Sequence, residues 1–462
     1  MRLSILELSC AIRQGQLSPV ELTQQCLHRI EKLNPTLNAF ITVTDELAVR
    51  QARDAEAEIH KGHWRGPLHG IPVGLKDLID TAGVRTTAAS ALFKDRVPAE
   101  DAEVVTRLKA AGAILIGKQN LHEFAYGGSS VISYFGAVRN PWNPEYIAGG
   151  SSGGSTAAVA AEMCYAAIGT DTGGSIREPA SLCGILGLKP TYGRVSARGV
   201  IPLSISLDHV GPIASTVADA ATVLQAIAGY DPGDPNSADV PITDYVAHIE
   251  KEPKNIRVGV PHRFFYENLD PEIESAMEQV LAVLETHGAE VRDIELNVPT
   301  DWGLLSAEAY ACHAEFIRRS PELYQPETLR RMRAGESISV ADADLRRREV
   351  TNMRNEIDRV FENVDVLVTP TTPHPAPRLA ELTENPDQLR AKELTLLPNT
   401  RPFNMWGLPA ISIPCGFTNS GLPIGLQIAG AHWAEADVLQ VAYAYERSTH
   451  WHEKQPQITV PN

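Results

Sequence analysis

The sequence predicts an α/β protein, because short apolar runs suited to buried strands alternate with longer amphipathic runs suited to helices. The clearest strand candidates are residues 71–75, 113–116 and 364–368. The chain has 462 residues, of which 43% are hydrophobic and 21% charged. That composition supports a large core and is neither fibrous nor disordered.

The N-terminal part, residues 4–60, is predicted to be helical. Ser18 is a cap and Pro19 occupies the first turn, with apolar residues following at helical spacing. A second amphipathic run covers residues 45–59. Neither run carries residues that indicate chemistry.

The remaining elements follow the same alternation. Residues 231–241 are rich in Pro, Asp and Gly, and the less characteristic segment at about 235–395 has long charged helices. The other predicted helices are 101–111, 217–228, 271–286 and 436–447, and the other predicted strands are 256–260, 410–414 and 423–428.

Two glycine-serine loops, residues 149–155 and 169–177, flank an apolar run in the middle of the chain. Flexible linkers have similar composition but adjoin polar sequence, whereas these loops adjoin apolar residues. Residues 156–168 contain only one charge, Glu162, and are predicted to form a buried helix that ends near Gly169. The loops are therefore expected to have a function inside a packed domain.

Charge and targeting signals limit the partners. The formal net charge of -16 argues against a nucleic-acid-binding surface, which needs clustered Lys and Arg. The six cysteines lack metal or redox spacing, and residues 1–8 do not resemble a secretion signal. No apolar run reaches 18 residues, so we expect a cytoplasmic protein with no membrane span and a small-molecule substrate. The base rate for soluble oligomers favours a homodimer.

Lys76 stands where the predicted strand 71–75 ends. It could be a surface charge paired with Asp77 or Asp80. Alternatively, burial could lower its pKa so that the neutral amine accepts a proton.

Nucleotide and metal sites are not predicted, and no cofactor is expected. Residues 112–118 match the spacing of a phosphate loop, but Gln119 replaces the required Ser or Thr and the intervening residues suit a strand. His122 and Glu123 lack further ligands at metal-binding spacing.

Three catalytic interpretations compete for the central stretch. Residues 149–153 satisfy G-x-S-x-G, but no strand precedes them as a hydrolase elbow requires. Residues 171–173 match the D-T-G of aspartic proteases, but only one copy is present. In the third, Ser175 is a nucleophile, the amides of Thr172, Gly173, Gly174 and Ser175 form an oxyanion hole, and a base comes from elsewhere.

The sequence resembles the amidase signature hydrolases in several motifs, dense over residues 66–215 and sparser towards the C-terminus. The motifs are GIPVGLKD (70–77), GGSSGGS (149–155), GTDTGGSIR (169–177), GLKPTYGR (187–194), GLPA (407–410) and PIGLQ (423–427). The resemblance implies one amidase domain over residues 1–462, with a large mixed β-sheet covered on both faces by helices and a signature core at about 66–215.

The family's Ser, cis-Ser and Lys triad would fall on Ser175, Ser151 and Lys76. Its supporting residues would be Asp171, Arg177 and Ser152. The resemblance implies that Lys76 takes a proton from Ser151 and Ser151 takes one from Ser175, which forms an acyl-enzyme. A non-catalytic binding protein on the same fold is the alternative of another class, and the three intact triad residues argue against it.

The substrate is less well defined by the resemblance. Glu178 departs from the family pattern and is expected to pair with Arg177. The glutamine-recognition segment of the A subunit of tRNA-dependent glutamine amidotransferase is not recognised in residues 305–319 or 396–405, so a stand-alone amidase is predicted and that subunit is the alternative.

No carboxylate-binding cluster is evident near the motifs, which favours neutral substrates: aryl or aliphatic amides, carbamates (a urethanase activity) or esters. The candidate substrate-binding residues are Tyr126, Gly127, Gly128, Ile176, Phe403 and Trp406.

Overall fold

The structure, a computed structural model that describes residues 3–253, 255–384 and 386–458, is built on an eleven-stranded sheet. The strand order is β1-β3-β2-β4-β6-β5-β10-β11-β9-β7-β8. The strands are β1 (Phe40–Val43), β2 (Pro72–Lys76), β3 (Ile114–Gln119), β4 (Ala166–Asp171), β5 (Leu186–Lys189), β6 (His209–Ala214), β7 (Arg257–Val260), β8 (Glu290–Asp293), β9 (Val366–Pro370), β10 (Ala410–Phe417) and β11 (Pro423–Gly430).

Helices follow or separate most of these strands in the described part of the chain. They are α1 (Ile5–Arg13), α2 (Pro19–Leu37), α3 (Asp45–His60), α4 (Glu103–Ala110), α5 (Gly153–Ala160), α6 (Arg177–Cys183), α7 (Val217–Ile227), α8 (Tyr245–Ile249), α9 (His262–Phe265), α10 (Pro271–Thr286), α11 (Gly303–Arg319), α12 (Pro326–Arg333), α13 (Val340–Ile357), α14 (Leu379–Thr383), α15 (Pro386–Leu396), α16 (Pro402–Met405) and α17 (Glu435–Thr449).

The sheet is mixed, as expected. Strand β2 runs parallel to β3 and β4, whereas β4–β6, β5–β10 and β10–β11 are antiparallel. Parallel neighbours end at the same edge of a sheet. Lys76 is the last residue of β2 and Asp171 the last of β4, so this topology brings both residues to one edge.

Apolar side chains of β4 pack on both faces of the sheet. Ala166 and Ile168 belong to the same core cluster as Leu224 of α7, while Ala167 lies in a second cluster with Val159 of α5. Because strand side chains alternate between faces, helices must cover both sides of β4. The predicted α/β fold with a helix-covered mixed sheet is therefore confirmed.

The predicted helix 156–168 is wrong in its second half. Helix α5 ends at Ala160 and β4 begins at Ala166, with Glu162 at φ 55° in the turn between them. A short apolar run is compatible with either a buried helix or a buried strand, and length alone does not separate two short elements. The N-terminal part is also not wholly helical, since β1 interrupts it.

The other predicted strands and helices agree with the structure to within a few residues at each end. Within the described ranges, no helix combines the length and the apolar character needed to cross a membrane.

Candidate active site

Lys76 is fully buried at the end of β2. Its Nζ lies 2.7 Å from Ser151 Oγ, and donates to Thr170 Oγ1 at 2.8 Å and to the Thr170 carbonyl at 3.4 Å. Burial lowers the pKa of Lys76 from 10.5 to about 7, although Asp171 and Asp208 act in the opposite direction. A neutral amine has two N–H donors and one lone pair. With both donors directed at Thr170, the lone pair is left for the Ser151 hydroxyl.

Ser151 lies in the loop that enters α5, after a cis Gly150–Ser151 peptide bond. The loop is held by Glu178, whose Oε2 accepts from the Gly150 amide at 2.8 Å. Gly149 has φ 80°, and a Cβ on it would lie 2.7 Å from Glu178 Oε2. A side chain at position 149 would therefore displace the carboxyl group that fixes this loop.

Ser175 lies in the loop between β4 and α6. It is 7% exposed, whereas Lys76 and Ser151 are 0% exposed. The Ser175 carbonyl accepts from the Ser152 amide at 3.2 Å, and Ser152 Oγ donates to the Thr170 carbonyl at 3.1 Å. Within the described ranges the Ser175 hydroxyl forms no hydrogen bond, so the contact between the two serine hydroxyls remains a prediction.

Asp171 and Arg177 form a buried bidentate ion pair that fixes the loop carrying Ser175. Arg177 Nε and Nη2 donate to Asp171 Oδ2 and Oδ1, each at 3.0 Å. Burial alone would raise the pKa of Asp171, but the charge of Arg177 and its hydrogen bonds hold that pKa below its usual value. The pair is thus charged at neutral pH. Because both charges are buried, each needs close hydrogen-bonding partners to offset the loss of water.

Two residues from distant parts of the chain complete this network. Arg177 Nη1 donates to Gln427 Oε1 at 2.7 Å and Arg177 Nη2 to Asn404 Oδ1 at 2.8 Å. Asn404 Nδ2 in turn donates to the Asp171 carbonyl at 3.0 Å. The sequence analysis missed Asn404 and the role of Gln427. The one available signal was that an Asn and a Gln, whose amide groups can bond to buried charged groups, occur in or near the C-terminal motifs.

The four amides predicted to form an oxyanion hole are not equivalent. The Gly174 amide donates to Asp171 Oδ1 at 2.7 Å, so it is already occupied. Those of Thr172, Gly173 and Ser175 have no acceptor among the described residues. Gly174 itself has φ 129°, and a Cβ there would lie 2.2 Å from Thr400 Oγ1. The loop shape therefore requires glycine at 174, and three amides remain for a ligand.

Glu178 does not pair with Arg177 as expected. Its Oε2 accepts from Gly150, its Oε1 has no partner in the described structure, and burial raises its pKa well above 4.5. Arg177 is instead saturated by Asp171 and its amide neighbours. Glu178 thus acts on the Ser151 loop through its hydrogen bond with the Gly150 amide.

The predicted substrate-binding residues divide into core and loop positions. Phe403 and Trp406 are 0% and 2% exposed in an apolar cluster, and Ile176 is also buried, so all three pack in the core and their role in substrate binding stays a prediction. Their apolar and aromatic character is explained by packing.

Tyr126 is buried, with its hydroxyl 3.4 Å from Ser306 Oγ. Gly127 and Gly128 pack against other side chains: a Cβ on Gly127 would lie 2.2 Å from the His122 ring, and one on Gly128 would lie 3.2 Å from Leu397.

Asp208 was also missed. Its Oδ1 accepts from Thr172 Oγ1 at 2.5 Å, which anchors the first residue of the loop. Burial raises the pKa of Asp208 to about 6. No cluster of three or more His, Cys, Asp or Glu side chains among the described residues could hold a metal ion.

The arrangement pairs buried Lys76 with buried Ser151 and holds the more exposed Ser175 through the Ser152 amide. Beside Ser175 are main-chain amides that have no acceptor in the described part of the chain. This arrangement defines a class of site suited to acyl transfer. The chain matches the Amidase family over residues 21–439, and so it belongs to the amidase signature family, as the sequence motifs predicted.

Three comparisons describe what the chain is similar to. The A subunit of glutamyl-tRNA(Gln) amidotransferase from Geobacter sp. (strain M21) is 42% identical over 98% of this chain and 98% of its own. The structure of 6-aminohexanoate cyclic dimer hydrolase has TM-score 0.90 and 31% identity, covering 99% of each chain. Peptide amidase from Stenotrophomonas maltophilia has TM-score 0.85 and 32% identity, covering 100% of this chain and 99% of its own. The chain is therefore an enzyme of the amidase type, a hydrolase of carbon–nitrogen bonds.

Proposed function

We propose that the chain hydrolyses an amide through an acyl-enzyme on Ser175. The observation that carries this proposal is the 2.7 Å approach of Lys76 Nζ to Ser151 Oγ at a lysine whose pKa is about 7. At neutral pH about half of such a lysine is a neutral base, whereas a surface lysine is almost entirely protonated.

The proposed reaction begins when Ser175 Oγ attacks the substrate carbonyl. The Ser175 proton passes to Ser151 Oγ, and the Ser151 proton passes to Lys76 Nζ. The amides of Thr172, Gly173 and Ser175 would stabilise the negative oxygen of the tetrahedral intermediate.

The intermediate collapses when the C–N bond breaks and Ser151 donates a proton to the leaving nitrogen. Lys76 then returns its proton to Ser151. Water then attacks the ester by the same route. The reaction consumes one water molecule in total: the acyl carbon receives the hydroxyl group and the nitrogen receives the proton. The products are the acid, the amine and free Ser175.

Ser175→Ala tests the nucleophile, with Ser155→Ala as the matched control. Ser155 is a buried serine on α5 whose hydroxyl has no partner in the described part of the chain, so its loss should not affect chemistry. A fluorophosphonate probe should label the wild type and Ser155→Ala but not Ser175→Ala. Equal labelling of all three proteins would exclude Ser175 as the nucleophile.

A second candidate is the A subunit of a tRNA-dependent glutamine amidotransferase. The 42% identity to such a subunit over 98% of this chain supports it better than it supports a stand-alone hydrolase of neutral amides, carbamates or esters. The catalytic chemistry proposed above is common to both candidates. They differ in substrate and in the need for partners, and the second would bring the chain into contact with tRNA through its complex.

Purification of the chain alone separates the two candidates. The purified chain would be assayed with glutamine, anilides, short aliphatic amides, amino-acid amides and carbamates, with Ser175→Ala as the blank. Hydrolysis of several amides by the isolated chain supports the stand-alone enzyme. Activity confined to glutamine, and appearing only with partner subunits and tRNA, supports the amidotransferase subunit.

A further inference from the structure

Arg401 packs directly against the loop that carries Ser175. A Cβ built on Gly173 would lie 3.4 Å from Arg401 Cγ and 3.8 Å from Arg401 Nε. The neighbouring Thr400 Oγ1 donates to the Gly173 carbonyl at 2.8 Å. Because Gly173 and Ser175 are two residues apart, their Cα atoms are separated by at most about 7.6 Å. The guanidinium group is thus within reach of a short substrate bound at Ser175.

Arg401 has no acidic partner in the part of the chain that the structure describes. Its guanidinium forms neither an ion pair nor a hydrogen bond there, and it lies 4.7 Å from the centre of the Trp302 ring. Burial, and then the charge of Arg390, lower the pKa of Arg401 to about 9. The side chain therefore keeps its charge at neutral pH while it is partly removed from water, a situation that favours binding of an anion.

Glu393, whose charge acts on Arg401, is occupied by other arginines. Glu393 is buried, accepts from Ser129 Oγ at 2.6 Å, and pairs with Arg331 at 2.8 Å and Arg390 at 3.6 Å. Arg390 in turn lies 5.6 Å from the centre of the Tyr126 ring. Arg331 also pairs with Glu327 at 2.7 Å. Three arginines, Arg331, Arg390 and Arg401, therefore stand against two carboxylates, and Arg401 is the one without an ion pair in the described part of the chain.

We propose that Arg401 is a specificity residue that binds a carboxylate carried by a short amide substrate of this enzyme. A guanidinium group can bind a carboxylate through two parallel hydrogen bonds, and the contact with the Trp302 ring at 4.7 Å leaves this one without a competing acid in the described structure. This proposal rests on the proposed hydrolase function. It replaces the neutral substrate expected from the sequence, where no cluster of basic residues near the motifs was evident.

Matched amide pairs test the proposal. Glutaramate and succinamate each carry a carboxylate, whereas glutaramide and succinamide differ from them only by an uncharged amide in its place. N-acetyl-β-alanine and its amide make the same comparison for a carboxylate on the amine side. The wild type should prefer the anionic member of at least one pair in kcat/KM.

Arg401→Gln should reduce kcat/KM for the preferred anionic amide by about 10- to 100-fold, the range expected for a lost hydrogen bond to a charged group. The neutral member should change by less than about twofold, and Arg401→Lys should recover part of the preference. Arg319→Gln, at a position 72% exposed, is the matched control and should behave as wild type. The proposal would be overturned if the wild type preferred none of the anionic amides. It would also be overturned if Arg401→Gln lowered kcat/KM equally for both members of a pair.

Calorimetric binding of dicarboxylates separates this proposal from the hydrolase function. Malonate, succinate, glutarate and adipate cannot be hydrolysed, so binding to the wild type that is lost in Arg401→Gln supports the carboxylate site even if no amide is cleaved. If dicarboxylates bind in this way but no amide is hydrolysed, the proposed hydrolase function is contradicted and the carboxylate site is not. If none of the four dicarboxylates binds the wild type more tightly than Arg401→Gln, the carboxylate site is wrong.

Discussion

The pH dependence of kcat/KM should report the ionisation of Lys76. The proposed mechanism needs the neutral amine, and the pKa of Lys76 is lowered to about 7 because the side chain is buried. Activity should therefore rise with pH through about 7 and reach a plateau above it. Two pH units below that pKa only about 1% of the amine is neutral, so the rate at pH 5 should be about 100-fold below the plateau.

Asp208 offers a direct test that Lys76 causes this profile. Its carboxylate raises the pKa of Lys76, so Asp208→Asn should move the inflection to lower pH. Asp95→Asn is the matched control, since Asp95 is 86% exposed beside Lys94 and should leave the inflection in place. Steady-state kinetics between pH 5 and 9 with an uncharged substrate would measure all three proteins.

Two results would refute the reasoning. A profile that stays flat down to pH 5 would show that Lys76 is not the base. A shift of the Asp208→Asn inflection to higher pH would show that another group controls the rate, since loss of a nearby negative charge cannot raise a lysine pKa.

Three further predictions concern the loops around the site. Asp171→Asn leaves Arg177 buried without its counter-charge and should lower the free energy of unfolding by about 3–5 kcal/mol; wild-type stability in urea would contradict the role of the pair. Gly174→Ala would place a Cβ 2.2 Å from Thr400 Oγ1 at φ 129°, so it should cost about 1–3 kcal/mol of stability and most of the activity, and wild-type kinetics and melting would be the opposing outcome. Glu178→Gln should melt close to wild type near pH 4, below the ordinary pKa of 4.5, because the carboxyl group is then largely protonated in the unfolded chain as well. Burial raises the pKa of Glu178 in the folded protein well above 4.5, so the wild type loses stability as pH rises and the Gln variant should melt higher than the wild type at pH 7. Equal melting of the two proteins at both pH values would contradict this.

The strands and long helices could be predicted because their apolar spacing is local. Residues 71–75 and 410–414 gave clear strand patterns, and the structure has β2 and β10 there. The apolar run 156–168 failed because burial on all sides removes the periodicity that distinguishes α5 from β4. The four-residue β1 was missed because so short a strand carries little pattern at all.

Side-chain partnerships were harder to predict than elements. Phe403 and Trp406 were candidates for lining the substrate pocket because they are aromatic, and the structure buries them in an apolar cluster with neighbours from α9 and β9. The partner of Glu178 depended on how the loop containing Gly150 is oriented toward α6. The contact of Arg401 with Gly173 depended on a segment far along the chain. Such contacts join residues that are distant in sequence, 28 positions for Glu178 and Gly150 and 227 positions for Gly173 and Thr400, and local sequence carries no signal of them.

The bond between Arg177 and Gln427 spans 250 positions of the sequence, and this has a consequence for biosynthesis. While the protein is still on the ribosome, the loop that bears Ser175 emerges long before β11 exists to receive the guanidinium group. The network that fixes this loop is therefore complete only when the C-terminal strands have been translated and added to the sheet. One support of the hydrolytic centre thus forms only at the end of synthesis.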